Sequence, residues 1–181
     1  MAPTSLTGHL LVAVPELLDP NFNQTVVLIV QHDAQGASGL VLNRASSSSI
    51  GDVLDEADLP SADQPVYVGG PVDGPLMAIH GCVSLGERDV LDNLFFSIER
   101  DNIVGVVRQT LRPFRLFGGY SGWGPQQLEG ELAMGGWLII PASAELVFAP
   151  EESLWRTISD QIGLEIIFSK PIAANIDPTA N

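Results

Sequence analysis

Basic residues are scarce in this chain: 8 Lys and Arg stand against 22 Asp and Glu among 181 residues, for a formal net charge of −14. Nucleic-acid binding relies on clustered Lys and Arg to neutralise phosphates, so this balance argues against a direct nucleic-acid partner. Cysteine is rarer still. Cys82 stands alone, which excludes an internal disulfide and gives no sign of an oxidising compartment. Long hydrophobic runs are missing too. The longest clean ones, Leu10–Val14 and Val26–Val30, fall far short of the roughly 20 residues of a membrane-spanning helix. Met1–Thr7 carries neither the basic stretch nor the apolar core of a secretory signal. A cytoplasmic protein without membrane association is the expectation.

The apolar share of 45% excludes a disordered chain, and the charged share of 17% is low against a usual value of about 25%. At this length a chain buries roughly 70% of the surface exposed on unfolding, enough for a real core. No composition shift or internal repeat divides it. One domain over 1–181 is expected, with 1–6 and 173–181 fraying at its ends.

The first third reads as sheet. His9–Val14 and Thr25–His32 are rich in β-branched residues and nearly continuous in apolar character, which predicts strands buried on both faces. Asp19–Phe22 between them is a turn, and Gly39–Asn43 a third strand. Ser46–Ser49 offers capping hydroxyls to a helix near 50–58. Further strands are expected at Pro65–Val68, Pro75–His80, Leu94–Ile98, Phe114–Gly118 and Trp137–Ile140. Asp101 can cap a helix through Ile103, Val107 and Leu111 that ends before Pro113. Pro125–Met134 reads as a helix stopped by Gly135-Gly136. The last helix begins at Glu151-Glu152, with Leu154, Ile158 and Ile162 as its apolar stripe. The pattern is that of a single α+β domain.

Chemistry-bearing motifs are few. Gly119-Tyr-Ser-Gly-Trp123 departs from a nucleophile elbow, having Trp where the second Gly must fall, and Ser121 reads as a turn serine. Cys82 lies two residues after His80, so on a strand the two would share a face and the imidazole could lower the thiol pKa. The plainer alternative is a small buried thiol beside a strand-end histidine. His9, His32 and His80 lack metal-ligand spacing, and no cofactor or metal motif is present. Gly118–Gly124 precedes a helix N-terminus but matches no phosphate-binding fingerprint, and its glycines suit turns. Arg100, Arg108, Arg112 and Arg115 hold half of the bases, with Arg108 and Arg112 on one face of the expected helix. They form either an anion-binding patch or partners for the surrounding carboxylates, and the acid excess favours the second.

Taken together, Gly8–Pro15, Leu18–Phe22, Thr25–His32, Gly39–Arg44, Val66–Val72, His80 and Gly119–Glu129, with Glu131 and Trp137, resemble the AlgH/YqgE family of bacterial proteins. The resemblance covers nearly the whole chain. Ala45 stands where that family often has Pro, and Gln126 where Gly is common. The resemblance implies a bacterial cytosolic protein with an α+β fold: a barrel-like, partly split mixed sheet with helices packed around it. Some members carry the label of transcriptional regulator, although this sequence has no helix-turn-helix signature and its negative field would repel phosphates.

Three readings of function follow. The first is a non-enzymatic binding or regulatory module for a protein or small-molecule partner. Its surface would be built from Asp19, Asn21 and Phe22, Asn43 and Arg44, Gly69 and Gly70, His80, and the Tyr120–Trp123 loop. The second is a transcriptional regulator acting directly or indirectly. The third is an enzyme using His80 and Cys82, or converging histidines. The excess of glycine-rich loops over titratable clusters favours the first.

Overall fold

A computed structural model describes the backbone of residues 5–169 and the side chains of 5–163. Strands β1 (His9–Ala13), β2 (Val26–Asp33), β3 (Gly36–Val41) and β4 (Ala45–Ser49) lead to a short helix α1 (Ile50–Val53). Next come β5 (Pro65–Val68), β6 (Val72–His80), β7 (Arg88–Leu91), β8 (Leu94–Ser97) and α2 (Arg100–Arg108). The chain continues through β9 (Phe114–Trp123), α3 (Gln127–Ala133), β10 (Trp137–Pro141), α4 (Ala144–Val147) and α5 (Glu151–Ser169).

The strands hydrogen-bond in the order β10-β1-β2-β3-β9-β6-β8-β7, with β5 parallel to β9 and β4 antiparallel to β5. Strand β9 joins the two halves of this sheet. Its Ser121–Trp123 end pairs with β3, while the rest pairs with β6 and β5. The sheet curls into a half-barrel that brings its far edge back towards its start. Arg88 Nη1 on β7 donates to Gln31 Oε1 on β2 at 2.8 Å. A Cβ on Gly8 would stand 2.7 Å from the Val90 carbonyl oxygen of β7, so only glycine fits there, at φ +78°.

Successive strand residues point to opposite faces, and here both faces are covered. Leu10, Val12, Leu28, Leu40, Ile79, Leu94 and Phe117 fill the concave side. Leu11, Ala13, Val27 and Ile29 face outward instead, against Leu128 of α3 and the two indoles Trp123 and Trp137. On the other half, α1 and α2 lay Ile50, Leu54, Ile103 and Val107 over Ala78 and Leu116. Double coverage is why β1 and β2 read as unbroken apolar runs. The expected stripe of α5 is seated: Leu154 and Ile158 join the concave core together with Val147 of α4.

One buried cation fastens that seat. Arg115 on β9 is 8% exposed, with its guanidinium donating to the Leu42 and Val147 carbonyls at 3.2 and 2.9 Å and to the Ala149 carbonyl. It lies over the Tyr67 ring at 4.8 Å, while Tyr67 Oη donates to Glu151 Oε2 at 3.1 Å. Glu151 also stands 3.9 Å from Arg115. Burial pushes the Tyr67 phenol pKa up, against the pull of Arg115, so it stays a donor.

Several elements differ from the sequence expectation. The helix near 50–58 stops at Val53: Ser49 and Asp52 form a capping box, and Ser46–Ser48 lie in β4. Asp101 does not cap α2. Glu87 instead fastens the turn that leads into the helix, accepting from the Ile98 and Glu99 N–H groups at 3.0 and 2.9 Å and from the Asn102 side-chain amide. Burial opposes the Glu87 charge, but these three donors outweigh it and lower its pKa. Helix α2 ends at Arg108, so Arg112 does not share its face. Strands β4 and β7 and helix α4 were not foreseen. Of the segment expected to fray, Ser5 and Leu6 are held: Leu6 is buried, its N–H donates to His32 Nδ1, and Ser5 Oγ donates to the His32 carbonyl. The expected fraying of 1–4 and 173–181 lies outside the described residues. Gln126 sits at φ 61°, in the left-handed region that glycine adopts without strain.

Arg115→Met should cost about 3 kcal/mol or more in urea unfolding, because it strands buried carbonyls and the Tyr67–Glu151 pair. Arg115→Lys should recover only part of this, since an ammonium lacks the planar fork. Gln126 is exposed and its side chain makes no cap bond. Gln126→Gly is therefore expected to be stabilising by up to about 1 kcal/mol in the same assay.

Candidate functional site

Three of the predicted positions, Asn21, Asn43 and Arg44, come together at the end of the half-barrel where β2 begins and β3 ends. Asp19 Oδ1 accepts the Asn21 N–H at 2.8 Å and so fixes the turn. Asn43 then bridges the strands: its Oδ1 accepts the Val26 N–H at 3.0 Å and its Nδ2 donates to the Gln24 carbonyl at 2.8 Å. Gln24 is held at φ 55°, an uncommon conformation for a side chain of this size. The Arg44 guanidinium donates to the Asn21 and Asn23 carbonyls and to Asn23 Oδ1. These bonds set its orientation.

Across from this wall stands the start of α5. Glu151, Glu152, Trp155 and Arg156 complete a cleft of about 360 Å³ with Asn23, Gln24, Asn43 and Arg44. Trp155 is anchored by donation from Nε1 to the Ala13 carbonyl at 2.8 Å. Glu151 is already engaged by Tyr67 and Arg115. Among the described residues Arg44 and Arg156 have no salt-bridge partner. The sequence flagged one wall of this cleft but missed Trp155 and Arg156. The i, i+4 spacing of Glu152 and Arg156 was visible, yet which strands α5 faces is set by tertiary packing alone.

The remaining predicted positions serve the fold. The Tyr120–Trp123 segment, expected as a loop, is the second half of β9. Gly69 and Gly70 pack on its backbone: a Cβ would stand 2.3 Å from the Gly119 oxygen and 2.2 Å from the Tyr120 carbonyl carbon. Ser121 is fully buried and donates to the Gly69 carbonyl at 3.1 Å. Phe22 stacks on Trp123 and meets Trp137 edge-on, with centroids 6.1 and 5.4 Å away. Both indole N–H groups donate to a single oxygen, Glu131 Oε2, at 3.0 Å each. Gln127 donates to the other Glu131 oxygen. Trp123 is thus a buried tie between β9 and α3. Tyr120 lies apart from the cleft, against the concave core.

His80 is fully buried, and both ring nitrogens are committed. Nδ1 accepts the Cys82 backbone N–H at 3.2 Å, which leaves Nε2 to donate to Ser97 Oγ at 2.9 Å, and Ser97 passes the chain to the Leu85 carbonyl. The ring therefore engages the Cys82 backbone rather than its thiol, which instead contacts Ser84 Oγ at 3.4 Å. Strand β6 ends at His80, so the shared face expected for His80 and Cys82 is not formed, and Cys82 is half-buried. His9 lies beside the Thr7 carbonyl, and His32 joins the Leu6 N–H to Glu129. The three rings share no partner, and no cluster of His, Cys, Asp and Glu that could hold a metal occurs among the described residues. The basic cluster separates as well. Arg100 and Arg108 both clamp Glu56, at 3.2 and 2.9 Å, while Arg115 is buried in the barrel.

The comparisons with known proteins agree with one another. A family model described as AlgH-like matches residues 10–167. A UPF0301 protein of Anaeromyxobacter dehalogenans is 37% identical, with 91% of each chain covered. One from Streptomyces coelicolor is 39% identical with 86% of each covered. The solution structure of the AlgH protein from Pseudomonas aeruginosa superposes with a TM-score of 0.71 at 32% identity, covering 94% of this chain and 97% of that one. A crystal structure of a protein from Corynebacterium diphtheriae shares the fold at a TM-score of 0.70 and 23% identity, over 96% of this chain and 90% of that one. No helix among the described residues is long and apolar enough to cross a membrane.

Burial holds the His80 pKa below its ordinary value of 6.5, despite the nearby Glu87 carboxylate. Below pH 6.5 the unfolded chain therefore binds this proton more readily than the folded one, so stability falls as pH drops. Melting temperature should decline between pH 7.5 and 5.5, the window about one unit either side of the unfolded pKa. His80→Gln can keep both hydrogen bonds without titrating, and its decline over that window should be shallower.

Proposed function

The chain belongs to the AlgH-like family, and on that footing we propose that it acts as a non-enzymatic binding module in the cytoplasm, through the cleft between Arg44 and Arg156. One observation carries this reading. A protein with only 8 bases against 22 acids turns two arginines, neither in a salt bridge, into one polar cleft, where Glu151 is engaged by Tyr67 and Arg115 and Glu152 is the other acid of the lining. A guanidinium held in place by backbone carbonyls loses little freedom on meeting a ligand, which lowers the cost of binding. The remaining N–H groups of Arg44 and the planar fork of Arg156 suit a carboxylate or phosphate group. The neighbouring amides of Asn23, Gln24 and Asn43 add polar contacts, and Trp155 offers an apolar flank. The ligand that fits is a small polar molecule with an acidic group, or the acidic side chain of a partner protein. Any regulatory role would then run through the bound partner rather than through DNA, since phosphate-rich duplexes meet a strongly acidic surface.

The residues that a catalytic reading would use are spent elsewhere. His80 is committed on both nitrogens and Ser121 is tied to Gly69. Binding is the use that leaves these bonds intact.

Thermal melting with inorganic phosphate, citrate and glutamate at 10 mM tests the reading. A ligand of about 1 mM affinity stabilises by about 1.4 kcal/mol at that concentration, or roughly 3–6 °C. Arg156 is exposed on α5, so Arg156→Gln should fold normally and lose the shift. If none of the three raises the melting temperature, or if the variant keeps the shift, this cleft is not the site.

A further inference from the structure

The half-barrel has a second opening, at the other ends of the same two strands. Where the cleft lies before Val26 and after Val41, this one lies at Val30 and Ser38. Helices α4 and α5 stopper the first end, whereas this end is a cavity of about 230 Å³. Leu40, Met77, Phe96 and Tyr120 supply an apolar wall, and Ile98, 43% exposed, sits at the rim. Mouths of β-barrels are a recurrent place for small-molecule sites.

Arg88 is the one charged residue in the lining. Its guanidinium lies over the Phe96 ring at 5.7 Å and donates from Nη1 to Gln31 Oε1. It has no salt-bridge partner among the described residues, although the chain carries 22 carboxylates. The other guanidinium donors remain available at the edge of an apolar cavity. A cation held over an aromatic ring at the edge of an apolar cavity supplies the charge that an acid needs there.

We infer that this mouth binds a small apolar carboxylate, with the hydrocarbon body against Phe96 and Tyr120 and the carboxylate on Arg88. Size limits the body. A cavity of about 150 Å³ accepts a benzene ring, and pockets for drug-sized ligands begin at about 300 Å³. The opening therefore suits an aryl or branched-alkyl group of roughly phenyl size on a short acid chain. A second copy of this chain is a poor occupant, because its net charge of −14 opposes self-association at an opening this small. The same charge does not exclude a small acid. Carboxylates beyond about 8 Å are screened at physiological salt, while a direct contact with Arg88 is not.

The test is a titration of the full chain with 4-phenylbutyrate, followed by amide chemical shifts. Saturable shifts at Ser38, Phe96, Ile98 and Tyr120 are expected. The uncharged 4-phenylbutan-1-ol should bind the wild type about tenfold more weakly, and Arg88→Gln should weaken 4-phenylbutyrate by a similar factor. Ile98→Trp, which fills the mouth from an exposed position, should remove binding. Arg156→Gln should leave it unchanged, which separates this mouth from the polar cleft. The inference is overturned if the shifts do not saturate by 20 mM, if they map to Asn43 and Arg44, or if alcohol and acid bind alike. The alcohol comparison needs no variant, so it decides the matter even where a substitution perturbs folding.

Discussion

The Arg115 guanidinium is the contact on which the two ends of the barrel depend for their difference. An unpaired cation in a protein interior costs several kcal/mol, and here the cost is offset by carbonyls from three separate segments and by the Tyr67 ring. Those segments are the end of β3, the end of α4 and the approach to α5. Packing alone would let the C-terminal helices slide over the apolar rim, because hydrophobic contact is not directional. Charge-assisted hydrogen bonds are directional, and they give α5 one position. The consequence reaches the surface. Leu42, whose carbonyl Arg115 holds, precedes Asn43 and Arg44, and Glu151 contributes to both the Arg115 network and the cleft wall. The cleft is thus the outer side of the joint that closes the barrel.

A similar economy governs the sheet. Strand β9 serves two halves with different neighbours, and it can do so only where a neighbouring chain passes directly over its backbone. Gly69 and Gly70 make that passage, and the Ser121 hydroxyl closes it with a bond to the Gly69 carbonyl. Gly69 and Gly70, expected as part of a binding surface, are therefore an instance of close backbone approach. On the outward face, Glu131 does for the indoles what Arg115 does for the carbonyls, one ionisable group collecting buried partners from several elements.

What the sequence disclosed follows the range of the forces involved. The strands β1 and β2, the stripe of α5 and the α+β class were legible, because periodicity and burial on two faces are written locally. Ser46–Ser49 was legible only in part. Ser49 does cap a helix, but β4 is a polar edge strand and carries no apolar alternation to announce it. The Glu87 tie to the turn before α2 was not readable, since it comes from another element. Arg115 hid for a related reason. Grouped by position with Arg100, Arg108 and Arg112 it looked like part of a surface patch; Phe114 and Leu116 beside it point to the opposite face of β9, and the groups that bury it come from other segments, so no local pattern marks this charge as an interior one. Of the site, Asn43 and Arg44 were visible as loop residues after a strand, while Arg156 belonged to a helix whose docking no local pattern encodes.

The scarcity of bases, finally, determines how the surface can be used. With so many acids, an arginine left near a carboxylate would form an ion pair worth little and available to no ligand. Arg100 and Arg108 have that fate on Glu56, and Arg115 is consumed inside. Arg44, Arg88 and Arg156 escape it by position. Arg44 is held by carbonyl and amide oxygens, Arg88 by an aromatic ring and a glutamine, and Arg156 faces the cleft. Neutral partners orient a guanidinium without cancelling its charge, and that is the condition for selecting an anion from water. The two openings then differ in what accompanies the charge: amides, an indole and the Glu151 and Glu152 carboxylates beside Arg44 and Arg156, mostly apolar side chains beside Arg88. Under the two proposals the first takes a polar acid and the second an apolar one, as a half-barrel stoppered at one end allows.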